Sequence, residues 1–159
     1  MKKTLFILMA CLPLWGVAQK ITPLKKAVIQ SVEQHKESLI KLSDSVWALA
    51  ETAFEEQGSA KILADYAEAQ GMNVTRGVAG IPTAFTATFG SGHPVISILG
   101  EYDALPGISQ KASPEKEALN PGAAGHGCGH NLLGAASLLA ATALKNWIEK
   151  NNICGKHGL

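Results

Sequence analysis

The sequence predicts an α/β domain, and three observations support that fold class. Segments with helical periodicity lie on both sides of a stretch of β-branched, aromatic and apolar residues at positions 83–99. The chain has 159 residues, enough for one domain with a buried core. Acidic residues follow the last apolar segment directly, where open α/β sheets bind their ligands. We therefore expect helices packed on a sheet, with a site at the sheet's edge.

The composition excludes two classes of partner. The formal net charge is +1 and Arg76 is the only arginine, which argues against a basic surface for nucleic acid. Beyond the first twenty positions, no apolar run approaches the roughly 18 residues that a membrane-spanning helix needs. The sequence thus predicts a protein that has no nucleic-acid partner and no membrane span.

The first 18 residues have the organisation of a secretory signal peptide. Lys2 and Lys3 precede an apolar run at positions 5–14, and small residues end the segment at Ala18. An alternative is a lipoprotein signal that is cleaved before Cys11. We expect export to the periplasm or the extracellular space. In that oxidising environment Cys128 and Cys154 have the option of forming a disulfide.

Three segments carry helical patterns. Apolar residues recur along positions 22–49 with polar residues opposite, which predicts an amphipathic helix. A second helix is predicted over positions 56–70, with Gly71 as its stop. The third is alanine-rich and covers positions 131–148.

Two strands are predicted between the second and third helices. Positions 83–89 are rich in β-branched and aromatic residues, and positions 90–94 have the composition of a turn. Positions 95–99 form a short apolar run that predicts a strand buried on both faces. An irregular loop over positions 108–125 is expected to be functional or mobile.

Two acidic residues follow the second predicted strand. Glu101 and Asp103 are candidates for a ligand or metal site because they would lie at the carboxyl end of that strand. Carboxylates at such a place also cap helices or form turns, and the residues by themselves leave both interpretations open.

A glycine-flanked motif at positions 125–134 carries the strongest chemical signal. Cys128 and His130 are two residues apart, and the glycines let the backbone bend so that both side chains can face one point. Thiolate and imidazole are good zinc ligands. Cys128 would lie at a helix N-terminus, where the helix dipole favours the thiolate. His126 is a further candidate, as a ligand or as a group that orients one. The alternative is a glycine-rich turn that contains His and Cys incidentally.

The segments 98–107 and 125–134 together resemble the zinc amidohydrolases of the aminoacylase and carboxypeptidase superfamily, and within it the p-aminobenzoyl-glutamate hydrolase group. The resemblance covers nearly all of the chain after the leader. It implies that residues 19–159 are the N-terminal portion of a catalytic domain built as a three-layer α/β sandwich. In that family the domain carries two divalent metal ions, Zn²⁺ or Mn²⁺. A smaller inserted domain, absent from this sequence, mediates dimerisation.

The resemblance also implies roles for individual residues. Cys128 and His130 correspond to metal ligands, and Asp103 to the catalytic aspartate that supports the metal centre without binding the metal. Glu101 falls where more distant relatives have a histidine ligand, so it is a secondary metal candidate together with His126. Asn131 stands where many relatives have Asp, but the subgroup resembled here has Asn.

The implied activity is metal-dependent hydrolysis of the amide bond in N-acyl or aminobenzoyl amino acids or small peptides. A glutamate acts as general base in this family. That glutamate, the remaining histidine ligands and the dimerisation domain follow the segment that ends near Asn152, and positions 151–159 do not resemble the next strand. We therefore expect a truncated and inactive portion of the enzyme, with dimers formed only by the full-length protein. The alternative is a non-catalytic exported domain that binds a metal ion or a small molecule.

Overall fold

The computed structural model describes residues 21–151. The predicted signal peptide, Cys11 and Cys154 lie outside these described residues. The described part contains both helices and strands, compatible with the predicted α/β class. Its elements in chain order are α1 (Pro23–Gln34), α2 (Lys36–Leu49), α3 (Gln57–Ala69), β1 (Asn73–Arg76), a 3-10 turn (Val78–Gly80), β2 (Phe85–Thr88) and α4 (His130–Lys150).

The helix predicted over positions 22–49 is divided in two at His35. The His35 ring Nδ1 lies 2.8 Å from the carbonyl oxygen of Ser31, the acceptor that the His35 backbone N–H would use in a continuous helix. That N–H instead donates to Val32 O over 3.1 Å. The side chain thus competes for a helical acceptor and ends α1. The break separates α1, which buries no residue, from α2, which packs into the core.

Helix α3 and its stop at Gly71 are confirmed. Gly71 has φ +77, a conformation that glycine adopts without steric cost. Its N–H donates to Glu68 O over 2.8 Å, and the Met72 N–H donates to Ala67 O over 3.1 Å. These two bonds form a Schellman motif that satisfies the last helical carbonyls and directs the chain into β1.

The core lies between three helices, and a β-hairpin covers one side of it. Strands β1 and β2 pair antiparallel, with Val74 opposite Ala87, and both of these side chains pack on the core. The buried members of the core come from α2, α3, the turn after α3, and α4: Leu42, Val46, Leu63, Ala67, Met72, Ala135 and Leu138. None of the helices in the described part of the chain has the length and apolar character required to cross a bilayer.

The prediction of a buried strand at positions 95–99 is wrong. Val95, Ile96 and Leu99 are 72%, 70% and 82% exposed, and the segment forms no strand. Within residues 21–151 the only sheet is the β1–β2 hairpin, and it does not pair with this segment. An apolar run becomes a buried strand only when neighbouring strands bond its edges and other elements cover its faces. The described residues supply neither.

Helix α4 has a small-residue surface that lets the acidic segment pack closely against it. A Cβ added at Gly134 would lie 2.9 Å from the carbonyl oxygen of Glu101 and 3.1 Å from Tyr102 Cβ. On another face of α4, Asn131 donates from Nδ2 to Ser43 Oγ over 2.9 Å and connects α4 to α2. These contacts fix the start of α4 relative to the segment that carries Glu101 and Asp103.

Candidate metal centre

Three side chains that could hold a metal ion meet at the start of α4. The potential ligand atoms of Glu101, Asp103 and His130 all lie within 4.8 Å of one another. Asp103 Oδ1 is 2.7 Å from His130 Nδ1, and Glu101 Oε2 is 3.2 Å from His130 Nε2. The imidazole is therefore flanked by one carboxylate on each ring nitrogen. The structure brings together three of the five residues that the sequence singled out.

Backbone hydrogen bonds hold the acidic segment in place from two sides. The Ala104 N–H donates to Glu51 O over 2.7 Å, and Ala104 also forms a parallel bridge with Thr52. Leu105 and Gly125 exchange two bonds of 2.9 and 3.0 Å. These bonds close the loop over positions 108–125 at its base. The loop itself contains no helix or strand, as the sequence predicts.

Two glycines of the motif are required because Ile108 lies too close for a side chain at these positions. A Cβ at Gly125 would lie 2.5 Å from the carbonyl oxygen of Ile108, and one at Gly127 would overlap the end of the Ile108 side chain. Gly129 has φ +73 and directly precedes the first residue of α4. The motif therefore folds tightly beneath the loop because side chains are absent at these positions.

The donor set suits a divalent cation. Imidazole nitrogen and carboxylate oxygen are ligands of zinc, and carboxylates also suit manganese. A hydrogen bond between Asp103 and His130 Nδ1 selects the tautomer whose lone pair is on Nε2. Glu101 lies on that Nε2 side. In this arrangement His130 and Glu101 can contact one cation while Asp103 orients the ring.

Cys128 and His126 do not join this cluster. Cys128 is a free, exposed thiol two residues before the first residue of α4. His126 Nε2 lies 3.1 Å from the carbonyl oxygen of Val46, and its buried Nδ1 has no partner within residues 21–151. His126 therefore contacts α2 and not the other candidates. The metal-ligand role of Cys128 stays a prediction.

A cavity of about 350 Å³ adjoins the cluster. Glu101, Asp103 and His130 line it, together with Glu56 and Tyr102. The Tyr102 hydroxyl donates to the carbonyl oxygen of Thr83. Burial raises the pKa of Tyr102 to about 12, and the negative charge of Glu56 adds to this effect. The phenol is therefore a neutral hydrogen-bond donor across the physiological pH range.

Sequence reasoning missed Glu56. An acidic residue just before a helix is ordinarily a favourable partner of the helix dipole, so its position alone carries no signal for a site. Its burial and its place beside Glu101 and Asp103 in one cavity depend on the packing of distant segments, which the local sequence does not contain. Glu51 was also missed, although its carboxylate accepts bonds from Gly58 N at 2.9 Å and from Ser59 N and Oγ at 2.8 and 2.7 Å.

The curated proteins to which this chain is similar are all named as hydrolases. No protein-family model matches the chain. It is 49% identical over 121 residues to a p-aminobenzoyl-glutamate hydrolase subunit of Escherichia coli (strain K12), a match that covers 76% of this chain and 25% of the relative. It is 28% identical over 142 and 139 residues to the Xaa-Arg dipeptidases of Mus musculus and Homo sapiens. Those matches cover 83% and 79% of this chain, and 29% and 28% of the two dipeptidases.

The chain thus spans between a quarter and three tenths of the length of the curated relatives it matches. All three relatives bear the names of hydrolases. The resemblance predicted from the two motifs is confirmed: by sequence, this chain is related to the p-aminobenzoyl-glutamate hydrolases and, more distantly, to the Xaa-Arg dipeptidases.

Proposed function

We propose that this chain carries part of the active site of a metal-dependent amidohydrolase. The substrates are N-acyl or aminobenzoyl amino acids or small peptides. The observation that carries the proposal is the convergence of Glu101, Asp103 and His130 beside a cavity. The relatives' names support the substrate class, since p-aminobenzoyl-glutamate and Xaa-Arg dipeptides each contain an amide bond between an acyl group and an amino acid.

The proposal gives each residue of the cluster a task. His130, through Nε2, and Glu101 hold a divalent cation, Zn²⁺ or Mn²⁺, and Cys128 completes the set from the adjacent glycine-flanked loop. Asp103 accepts a hydrogen bond from the Nδ1–H of His130 and fixes the ring orientation. When bound, the metal polarises an amide carbonyl and acidifies a water molecule. We also propose that the complete active site holds two metal ions and that the complete catalytic domain is a three-layer α/β sandwich.

The surrounding residues bind and orient the substrate. The cavity of about 350 Å³ next to the cluster is large enough for a small amide. Tyr102, kept protonated by its raised pKa, donates its hydroxyl hydrogen bond to Thr83 O and forms part of the cavity wall. We assign the general base to no residue between positions 21 and 151. We expect the chain by itself to bind a metal ion without hydrolysing the substrate. The proposal also includes export from the cytoplasm, which the signal-peptide pattern of the N-terminus supports.

A non-catalytic binding domain is the second candidate function. The observation that favours it is that the described residues form one metal-type cluster and one adjoining cavity but supply no assigned base. Such a domain would use the same residues to bind a metal ion or a small molecule after export. Association into dimers is proposed only for a protein that has the full length of the relatives.

Metal titration of the purified chain tests the proposal. We expect Co²⁺, Zn²⁺ and Mn²⁺ to bind, and the Co²⁺ complex to show a thiolate-to-cobalt absorption band. His130→Ala should abolish binding, and Cys128→Ser should remove the thiolate band. His93→Ala is the matched control because His93 is exposed and outside the cluster. Binding that survives His130→Ala would contradict the proposed centre.

Hydrolysis assays separate the two candidate functions. N-acyl and aminobenzoyl amino acids are incubated with the chain and added Mn²⁺ or Zn²⁺. Turnover that Cys128→Ser abolishes would support an enzyme that is complete in this chain and contradict the expectation of inactivity. Hydrolysis only after addition of a longer relative's remaining segment would support a divided active site, because the general base would then come from that segment.

A further inference from the structure

Glu56 is a buried acidic residue, and within the described residues its carboxylate is not fully hydrogen-bonded. Its side chain is 8% exposed, and its Oε2 atom has no partner within the part of the chain that the structure describes. The residue directly precedes α3, yet its side chain does not cap that helix. Leaving a buried carboxylate unpaired destabilises the folded state. A ligand that donates a hydrogen bond to Glu56 would remove that cost.

The surroundings of Glu56 contain no described protein group that pairs with it. Glu56 lines the cavity of about 350 Å³ that also contains the metal-type cluster. The Tyr102 hydroxyl is committed to Thr83 O, so it does not donate to Glu56.

The charge of the cavity wall favours a positive or N–H-bearing ligand. Three carboxylates line the cavity, those of Glu56, Glu101 and Asp103, whereas no lysine or arginine of the described residues does. Clefts lined by one sign of charge concentrate ligands of the opposite sign. Glu56 is not part of the group whose ligand atoms lie within 4.8 Å of one another. A metal ion held by His130 therefore leaves Glu56 available for another part of the ligand.

The rest of the wall indicates the body of that ligand. Ala53, Phe54, Ile81 and Ala84 line the cavity together with the acidic residues. Such a surface binds an aliphatic or aromatic group. A suitable ligand thus has an apolar body, an amino group at one end and a polar group facing the cluster.

We propose that Glu56 is the recognition residue for an amino group on the ligand, so that the cavity selects amides that carry an amine apart from the scissile bond. The proposal rests on the proposed function for the identity of the ligand as an amide. The amine is either a protonated aliphatic ammonium or a neutral aromatic amine, since both donate N–H bonds to a carboxylate.

A matched series of probes tests the proposal on the full chain. The probes are benzoylglycines whose para substituent is aminomethyl, amino or methyl, and isothermal titration calorimetry measures their dissociation constants. We expect the aminomethyl probe to bind about 10-fold more tightly than the methyl probe, as a charge-assisted hydrogen bond provides. The aromatic amine should lie between them. Equal affinities for all three probes, or no binding of any, would overturn the proposal.

Two variants assign the preference to Glu56. Glu56→Gln removes the charge and should reduce the aminomethyl preference to about 2-fold or less. Glu55→Gln is the matched control, because Glu55 is exposed and does not line the cavity, and it should keep the full preference. A preference that survives Glu56→Gln, or that both variants lose equally, would overturn the assignment. Far-UV circular dichroism checks that each variant is folded. The comparison of the three probes on the wild-type chain tests the amine preference even if a variant fails to fold.

Metal titration distinguishes failure of this inference from failure of the proposed function. Glu56→Gln should leave the affinity for Zn²⁺ unchanged, since Glu56 lies outside the cluster. Metal binding without an amine preference would overturn only the role of Glu56. An amine preference without metal binding would support the role of Glu56 and contradict the proposed metal centre.

Discussion

Asp103 Oδ1 and His130 Nδ1 lie 2.7 Å apart, although the two residues are separated by 27 positions in the chain. The contact exists because Gly134 lets the acidic segment pack on α4 and because Gly129 places His130 at the first position of that helix. It leaves His130 Nε2 directed towards Glu101. The pair is therefore the geometric basis of the proposed metal centre.

Asp103→Asn is expected to weaken metal binding by about 10- to 100-fold, the usual cost of losing a carboxylate that orients a ligating histidine. The substitution is nearly isosteric, so the stability of the chain should change little. Competition against a fluorescent zinc chelator measures the effect. Asp44→Asn is the control because Asp44 is exposed on α2. Unchanged zinc affinity in Asp103→Asn would refute the orienting role.

Ser43→Ala is expected to lower the free energy of unfolding by about 1–3 kcal/mol, since it leaves the buried Nδ2 of Asn131 without its acceptor. Ser45→Ala is a matched control on the same helix. The Ser45 hydroxyl bonds to Lys41 O within α2, so its loss should cost no more than about 0.5 kcal/mol. Urea denaturation measures both. Equal losses would show that the Ser43–Asn131 bond contributes nothing specific.

Glu51 is expected to make stability depend on pH in the acid range. Burial raises the pKa of Glu51, but hydrogen bonds from Ser59 and Gly58 outweigh it and hold the pKa below its ordinary value of 4.5. A lowered folded-state pKa stabilises the fold above the unfolded-state pKa, and this contribution is lost as pH falls through the folded-state value. Stability should thus decline progressively below about pH 4.5.

Glu51→Gln tests that linkage. The variant should be less stable than the wild type at pH 7, and the difference should shrink as pH falls below 4.5. Thermal unfolding at a series of pH values measures it, with Glu55→Gln as the exposed control. A stability difference that stays constant from neutral pH to about pH 3 would contradict the linkage.

Alanine at Gly125 is expected to disrupt the site more than alanine at Gly127. The added Cβ at Gly125 meets the backbone of Ile108, which cannot move without breaking the base of the loop. At Gly127 it meets only the end of the Ile108 side chain, which can adopt another rotamer. We expect Gly125→Ala to cost about 1–3 kcal/mol and Gly127→Ala clearly less. Chemical denaturation compares the two, and the reverse order would contradict the packing described.

The exposed apolar segment at positions 95–99 is expected to bind hydrophobic dye. A double substitution, Ile96→Ser with Leu99→Ser, should reduce the fluorescence of the bound dye. Leu24→Ser is the control, because Leu24 is an exposed apolar residue on α1, outside this segment. It should reduce the fluorescence of the bound dye less than the double substitution does. A cooperative thermal transition without any dye binding in the wild type would show that the segment is covered in solution.

Structural elements that depend on neighbouring residues were predicted well from the sequence. Helix α3, its stop at Gly71 and most of α4 follow from periodicity and glycine chemistry, which depend on neighbouring residues alone. The division at His35 was not foreseen, because it depends on a ring that competes for one backbone carbonyl. The strand at positions 95–99 was predicted wrongly, since its formation depends on partners that a local pattern does not contain.

The amino-acid sequence alone identifies the chemistry available to this protein. It contains two motifs that carry Glu101, Asp103, Cys128 and His130, and it resembles amidohydrolases, which the relatives confirm. Which of these side chains lie close together depends on the three-dimensional packing of the chain. This packing joined His130 with Glu101 and Asp103, left Cys128 exposed, and placed Glu56 beside them. The reason is physical. Residue types are a local property, whereas distances between segments far apart in the chain arise from how helices and loops pack.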